Sequence, residues 1–138
     1  FICLGQDGLY ATGCPAEGRF VDNGNGTVSD TCTGLMWQQP TAPGAAWCQA
    51  LEYCENLSLA GHDDWRLPNV RELQSLSDYG RSKPSIDPVF GAVSSSYWSS
   101  TSRADIPGFA WGVDFYGGSV LNGAKINSYY VRAVRNAP

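Results

Sequence analysis

The sequence predicts an α+β domain in which two short helices lie between an early β-hairpin and a late set of antiparallel strands, with long loops between them. Two apolar stripes at helical spacing, one after residue 45 and one after residue 69, indicate the helices. Alternating apolar and polar residues from 97 onward indicate the strands. Because 138 residues have room for one hydrophobic core, we expect a single domain over 1–138.

The chain begins with residues 1–18, whose Gly, Asp and Pro without periodicity predict a loop-like segment. A hairpin is predicted next. Residues 19–22 and 27–30 have strand character, and the intervening Asn-Gly-Asn-Gly run at 23–26 supplies the positive φ of a tight turn. Residues 35–38 predict a further strand.

The first helix is predicted over residues 45–59, after a breaker cluster at 41–44. Its inward face is a stripe of apolar side chains, namely Trp47, Ala50, Leu51, Cys54 and Leu57. The second helix is predicted over 70–78, because Asn69 can cap it with Glu72 at the third helical position. Its inward face is formed by Val70, Leu73 and Leu76.

Four segments after residue 96 predict the late strands: 97–100, 110–116, 119–121 and 129–134. In the second segment, alternation divides the side chains between two faces. We expect a core face of Trp111, Val113 and Phe115, and an outward face of Gly112, Asp114 and Tyr116. Three further tryptophans are expected in the core rather than as sugar-stacking platforms: Trp37, Trp65 and Trp98.

The net charge of −4 is unevenly distributed along the chain. Residues 1–64 contain eight acidic residues and one basic residue, whereas residues 65–138 contain five acidic and eight basic residues. An acidic chain without a Lys/Arg cluster predicts no nucleic-acid binding, but the basic second half suits an anionic glycan. The sequence has no run of 18 apolar residues, so membrane insertion is not expected.

Five cysteines in a chain of this size indicate an oxidising compartment. If residues 45–59 form a helix, Cys48 and Cys54 lie roughly 9 Å apart along its axis, which is too far for a bridge. We expect the disulfides Cys32–Cys54 and Cys3–Cys14, with Cys48 free. The alternative, in which some of the cysteines are small buried hydrophobic residues, stays open.

His62, Asp63 and Asp64 are candidates for a metal site, because imidazole and carboxylate groups ligate zinc or manganese. Adjacent side chains on a turn do not converge on one ion, so we interpret the run as a turn before Trp65 and expect neither a metal nor a cofactor. The sequence has no nucleophile elbow and no phosphate-binding loop. We therefore expect no enzymatic activity, although thirteen acidic residues leave a carboxylate pair open.

The loops of the C-terminal third are the predicted recognition surface, because loops on a rigid scaffold commonly carry binding residues. Their polar groups and one aromatic ring suit a hydroxyl-rich ligand or a protein epitope. The candidate ligand-binding residues are Arg103, Asp105, Asp114, Tyr116, Ser119, Asn122, Lys125 and Asn127. Ordinary solvated loops are the alternative explanation.

Four motifs resemble one known family and follow its order: TGLMWQ at 33–38, GHDDWRLPN at 61–69, YWSST at 97–101 and YVRAVR at 130–135. The family is named for the C-terminal domain of the Legionella collagen-like adhesin. The resemblance implies a C-type-lectin-like fold on a secreted or cell-surface protein of a bacterium. The chain lacks the Glu-Pro-Asn, Gln-Pro-Asp and Trp-Asn-Asp motifs of calcium-dependent lectins, so glycan binding is expected to be independent of calcium.

By analogy with the family's namesake, we expect a non-catalytic adhesion domain that binds an anionic, glycosaminoglycan-like polysaccharide. The cations expected to be available are Arg103, Lys125, Arg132 and Arg135. The alternative is a protein-binding or sequence-diversified display domain, as in the variable proteins of diversity-generating retroelements, which share the lectin-like fold. A homotrimer is implied only for the collagen-fused relative, so both monomer and homotrimer stay open.

Overall fold

The computed structural model describes residues 18–78 and 80–136 of the chain. Residues 1–17 of the predicted loop-like segment, and with them the predicted Cys3–Cys14 disulfide, lie outside the described residues. The described part contains two β-sheets and two short α-helices, which confirms the α+β class.

The first sheet has the strand order β1-β2-β3-β9, and all of its neighbours are antiparallel. Strands β1 (Phe20–Asp22) and β2 (Thr27–Asp30) form the predicted hairpin. Strand β3 (Leu35–Gln38) lies between β2 and β9 (Val134–Asn136). The structure therefore confirms the early hairpin and the strand at 35–38, and it joins the last described strand to them.

The second sheet has the strand order β4-β8-β5-β6-β7. Its strands are β4 (Ala42–Ala45), β8 (Tyr129–Val131), β5 (Ser96–Ser102), β6 (Phe109–Asp114) and β7 (Ser119–Ala124). Strand β8 runs parallel to β5, whereas the other neighbours are antiparallel. The prediction of antiparallel strands is therefore wrong at this one pairing, because β8 enters the sheet between β4 and β5.

Two strand boundaries differ from the sequence-based expectation. The predicted breaker cluster at 41–44 overlaps strand β4, which pairs with β8 across an irregular register. The predicted strand over 129–134 is divided into β8 and β9, because the chain leaves one sheet at Val131 and enters the other at Val134. In both cases tertiary pairing overrides local propensity.

Both helices are shorter than predicted. Helix α1 covers Trp47–Glu55, because the residues just before it belong to strand β4. Helix α2 covers Val70–Gln74 and has the predicted capping box: Asn69 Oδ1 accepts from the Glu72 amide at 2.8 Å, and Glu72 Oε1 accepts from the Asn69 amide at 2.9 Å. It ends at Ser75, whose hydroxyl donates to the Glu72 carbonyl at 2.6 Å.

Two clusters of buried side chains form the core. The first contains Trp37, the second contains Trp65 and Trp98, and all three tryptophans are buried as predicted. Helix α2 contacts β5, β6 and β7. Leu73 belongs to the first cluster, which confirms the predicted inward face of this helix at that position. Leu76 belongs to the same cluster but lies just after the end of the helix.

The predicted division of strand β6 into two faces is partly wrong. Val113 and Phe115 are fully buried, as expected, but Trp111 is only half-buried. Gly112, which we expect to face outward, is also buried. A Cβ atom at this position would collide with the backbone oxygen of Tyr97 on β5. The close approach of the two strands therefore requires glycine at position 112.

Two cysteines, Cys48 and Cys54, are free thiols, and Cys32 is disulfide-bonded. The predicted Cys32–Cys54 disulfide is therefore wrong, whereas the prediction of a free Cys48 is confirmed. Cys54 faces the second core cluster, where it packs as a small apolar group. Burial, with a smaller effect from the charge of Glu55, raises the pKa of the Cys54 thiol to about 12.

Arg132 is fully buried where the chain passes between the two sheets. Its Nη1 donates to the carbonyl oxygens of Gln38, at 2.5 Å, and Gln39, and its Nη2 donates to Thr41 Oγ1 at 2.9 Å. The guanidinium carbon lies 4.9 Å from the ring centroid of Phe90. Burial lowers the pKa of Arg132. The prediction that Arg132 is an available surface cation is therefore wrong, because the guanidinium is buried and its two terminal nitrogens bind residues 38–41 of the connection between the sheets.

Candidate functional site

The eight predicted ligand-binding residues lie at two opposite ends of the β6–β7 hairpin. The antiparallel register pairs Asp114 with Ser119 at one end and Phe109 with Ala124 at the other. Five residue steps separate the ends, which corresponds to roughly 17 Å at the rise of a strand. The turn end holds Asp114, Tyr116 and Ser119. The other end holds Arg103, Asp105, Asn122, Lys125 and Asn127.

At the turn end, Asp114 mainly closes the β6–β7 turn. Its Oδ1 accepts from the Tyr116 amide at 2.9 Å, and its carbonyl accepts from the Gly118 amide at 2.7 Å. Tyr116 is exposed, and the Lys83 ammonium lies 5.3 Å from its ring centroid. This end therefore presents one aromatic ring on the turn and one cation from a neighbouring loop.

At the opposite end, three backbone hydrogen bonds fix the loops to each other and to helix α1. The Lys125 amide donates to the Gly108 carbonyl at 2.9 Å, the Trp47 amide donates to the Lys125 carbonyl at 3.0 Å, and the Arg103 amide donates to the Phe109 carbonyl at 2.9 Å. We call this region the loop surface; it comprises residues 103–108 and 122–128 with the side chains of Trp47 and Trp111.

Arg103 forms a network with three side chains of the loop surface. Its Nε donates to Asp105 Oδ1 at 3.0 Å, its Nη2 donates to the second oxygen of the same carboxylate, and its Nη1 donates to Asn122 Oδ1 at 3.1 Å. The guanidinium carbon lies 5.4 Å from the ring centroid of Trp111. The hydrogen bond from Arg103 lowers the pKa of Asp105 and raises the pKa of Arg103. The charge of Arg103 is therefore already neutralised within the surface.

Lys125 differs from Arg103 because no carboxylate in the described residues forms an ion pair with it. Its ammonium lies 4.2 Å from the ring centroid of Trp47. The indole orientation is fixed, because Trp47 Nε1 donates to the Ser99 carbonyl at 2.8 Å. The neighbouring Asn127 side chain donates weakly, at 3.4 Å, to the hydroxyl of Tyr129. Lys125 is thus an oriented cation whose charge is free for a ligand.

The other predicted cation, Arg135, is not available in the same way. Its Nε and Nη2 donate to the two Asp64 carboxylate oxygens at 2.6 and 3.1 Å, and only 11% of its side chain is exposed. The hydrogen bond from Arg135 lowers the pKa of Asp64. Four cations are expected from the sequence to be available to a ligand. Arg132 is buried and Arg135 pairs with Asp64, so only Arg103 and Lys125 of the four belong to the loop surface.

The turn predicted from His62 to Asp64 lies one to two residues earlier, at 60–61, and His62 closes it. The Leu59 and His62 backbones form a bridge, and the His62 carbonyl accepts from Trp65 Nε1 at 3.2 Å. Over residues 18–78 and 80–136, no three His, Cys, Asp or Glu side chains are grouped so that they could hold a metal ion. The indole of Trp65 is therefore anchored by this turn.

Sequence reasoning missed four side chains of the loop surface. Trp47 was assigned to the inward face of helix α1 and Trp111 to the core, yet both rings lie under cations. Ile126 and Ile106 are 88% and 40% exposed, which is unusual for large apolar side chains. The only sequence signal for Ile126 is its position between Lys125 and Asn127, in a polar turn where no core contact is expected.

The two sheets and the two helices define a small α+β domain that holds its loops on a rigid framework. The sequence model of the Lcl C-terminal domain matches residues 26–135. The chain therefore belongs to the Lcl C-terminal domain family, which confirms the resemblance noted from its motifs. Membership indicates an adhesin-like domain with an extracellular ligand, on a secreted or surface protein.

A comparison with curated proteins finds no match for this chain. In the part of the chain that the structure describes, neither helix has the length and apolar character needed to span a membrane.

Proposed function

We propose that this chain is a non-catalytic, C-type-lectin-like recognition domain that binds an anionic polysaccharide of the glycosaminoglycan type through its loop surface. The main observation behind this proposal is that the Lys125 ammonium lies over Trp47 and has no carboxylate partner in the described residues. A ligand carboxylate or sulfate would supply the missing negative charge. The family match supports the adhesive role, because it indicates an adhesin-like domain.

The arrangement around Lys125 favours binding of an anion over mere solvation. The ring of Trp47 covers one side of the ammonium, and the backbone bonds of the turn hold both groups in register. Little side-chain entropy then remains to be lost when a ligand anion binds. Arg103 adds no net charge, because Asp105 neutralises it. It instead holds the Asp105 and Asn122 side chains in place.

Binding is proposed to be independent of calcium. Nothing in the described residues groups acidic side chains for a cation, and the sequence lacks the calcium-lectin motifs. The electrostatic contribution should instead weaken as salt screens it. A chelator would weaken calcium-dependent binding, whereas salt would weaken electrostatic binding. The two treatments therefore distinguish these modes.

Retention of the purified domain on immobilised heparin, eluted with a salt gradient, tests this proposal. Lys125→Gln should elute at a clearly lower salt concentration than wild type. Lys83→Gln is the matched control, because Lys83 also lies over an aromatic ring, that of Tyr116, but at the opposite end of the hairpin. Chelator should change neither protein. Wild-type domain that fails to bind, or equal shifts for the two variants, would overturn the proposal.

A protein ligand is the second candidate, and it is favoured by the exposed Ile126 and Ile106. Their loops are adjacent, because the Lys125 amide bonds the Gly108 carbonyl. Apolar side chains surrounded by polar neighbours commonly mark protein contacts. An array that carries both glycans and extracellular-matrix proteins separates the candidates. If the wild-type domain binds protein spots and no glycan, and Ile126→Ser abolishes that binding, the result would support a protein ligand.

A further inference from the structure

We propose that Asn25 is a site of spontaneous deamidation, and that the fold directs this reaction to Asn25 in preference to the other two Asn-Gly pairs of the chain. The pairs begin at Asn23, Asn25 and Asn122. In each, the following glycine has no side chain to shield its backbone nitrogen, which can attack the asparagine side-chain amide. The three pairs differ in how the structure holds the reacting groups.

At Asn25, the structure activates the amide and leaves the nucleophile free. Thr27 donates twice to Asn25 Oδ1, from its hydroxyl at 2.6 Å and from its amide at 3.2 Å. These donors polarise the carbonyl and stabilise the oxyanion that forms when Cγ is attacked. The Gly26 amide has no acceptor among the hydrogen bonds of the described residues, and Asn25 is exposed to water.

At Asn23, the same turn restrains both reacting groups. The side-chain nitrogen of Asn23 donates to Thr27 Oγ1 and to Ser29 Oγ, each at 2.9 Å. The Gly24 amide, which would be the nucleophile, donates to Asp22 Oδ1 at 2.9 Å. Attack requires these hydrogen bonds to break first, so Asn23 should react more slowly than Asn25.

At Asn122, the β-sheet prevents the reaction. Asn122 lies opposite Trp111 in the regular β6–β7 pairing, and Gly123 is buried where any Cβ atom would collide with Tyr129. Closing a five-membered ring would require the extended backbone to leave the ladder. The Asn122 side chain is also held by Arg103.

The reaction at Asn25 is balanced with water as its only co-reactant. The Gly26 nitrogen forms a bond to Asn25 Cγ and gives up its proton, while the bond from Cγ to Nδ2 breaks and ammonia leaves. Water then opens the resulting succinimide at one of its two carbonyls. The product is aspartate or isoaspartate at position 25, with one additional negative charge beside Asp22.

Peptide mapping by mass spectrometry, after incubation of the folded domain in mildly alkaline buffer, tests the proposal. Asn25 should deamidate several-fold faster than Asn23 and Asn122, and the three rates should converge in urea. An Asn25 rate no higher than that of Asn23 in the folded domain, or the same ranking in urea, would overturn it.

Two variants test the proposed role of Thr27. Thr27→Val removes the hydroxyl that polarises Asn25 and accepts from Asn23. It should slow the reaction at Asn25 and accelerate it at Asn23. Thr27→Ser, which keeps the hydroxyl, should retain the wild-type ranking. Equal Asn25 rates in both variants would contradict the proposed activation.

Discussion

Arg132 donates to the carbonyl of Gln38 at 2.5 Å and so joins the two connections between the sheets. Gln38 ends β3, just before the chain passes to β4, and Arg132 lies between β8 and β9. The buried guanidinium donates to the carbonyl oxygens of Gln38 and Gln39. Its pKa is lowered by burial, but arginine stays charged at physiological pH.

Arg132→Met should lower the free energy of unfolding by about 3 kcal/mol or more, because the buried acceptors on Gln38 and Gln39 lose their donor. Urea denaturation at neutral pH measures the change. Arg81→Met is the matched control: Arg81 pairs with Asp78 on the surface, and half of its side chain is exposed. A change for Arg132→Met no larger than that of the control would contradict a structural role for the buried guanidinium.

The capping box of helix α2 should be separable from the ion pair that shares its glutamate. Asn69→Ala should cost about 1 kcal/mol, nearly independent of salt, because it removes the cap. Glu72→Gln keeps an oxygen that accepts from the Asn69 amide, but it removes the charge that pairs with Arg66 at 2.7 Å. Its smaller effect should shrink as salt increases.

Thermal denaturation at low and high salt measures both effects, with Asn56→Ala as the control. Asn56 follows helix α1, is exposed and has an ordinary φ of −93°. A salt dependence of Asn69→Ala equal to that of Glu72→Gln would show that the two contributions cannot be separated.

Cys54 should make the fold less stable at alkaline pH. The pKa of this thiol rises from 9.0 to about 12 on folding, so only the unfolded chain loses the proton between these values. The contribution of the protonated Cys54 thiol to the free energy of unfolding is complete below pH 9. It is lost as pH rises toward 12, by about 1.4 kcal/mol per pH unit.

Urea denaturation across this pH range should show a flatter decline for Cys54→Ala than for wild type. Cys48→Ala is the control, because it removes the exposed thiol and keeps the buried one. The same reasoning predicts that a thiol reagent modifies Cys48 in the folded domain and Cys54 only after unfolding. Rapid modification of both thiols would contradict the burial of Cys54.

Gly112→Ala should destabilise the domain by about 2–3 kcal/mol, because the added methyl group would collide with the backbone oxygen of Tyr97, which cannot rotate away. Gly117→Ala is the control, since it adds a methyl group to open space at a position without a positive φ. Denaturant titration of both variants measures the difference. Equal stability would mean that β5 and β6 can separate without cost.

Much of the fold could be predicted from local signals. The Asn-Gly turn, the Asn69 cap and the period-two run in β6 each depend on a few neighbouring residues. Strand β4 could not be predicted, because Ala42-Pro43-Gly44-Ala45 has no strand propensity and pairs only where β8 supplies a partner. The parallel pairing of Tyr97 with Tyr130 likewise depends on the tertiary path of the chain.

The candidate site was less predictable than the fold. Loop composition suggests Arg103 and Lys125 as binding residues, but it could not show that Asp105 neutralises Arg103 and that Lys125 lies over Trp47. Arg132 has the same sequence character as these cations, and only its place between the sheets shows that it is buried. Charge counted along a sequence therefore overstates the charge that a ligand meets.

The position of β8 inside the second sheet has a consequence for synthesis on the ribosome. Strand β4 pairs only with β8, so the second sheet cannot be completed until residue 131 has emerged from the ribosome. Strand β3 obtains its second neighbour only from β9, so the first sheet must wait until residue 136. Such long-range pairing makes folding slow and late. A chain whose two sheets both stay incomplete until late in synthesis completes its fold late, which suits threading through a translocation channel beforehand.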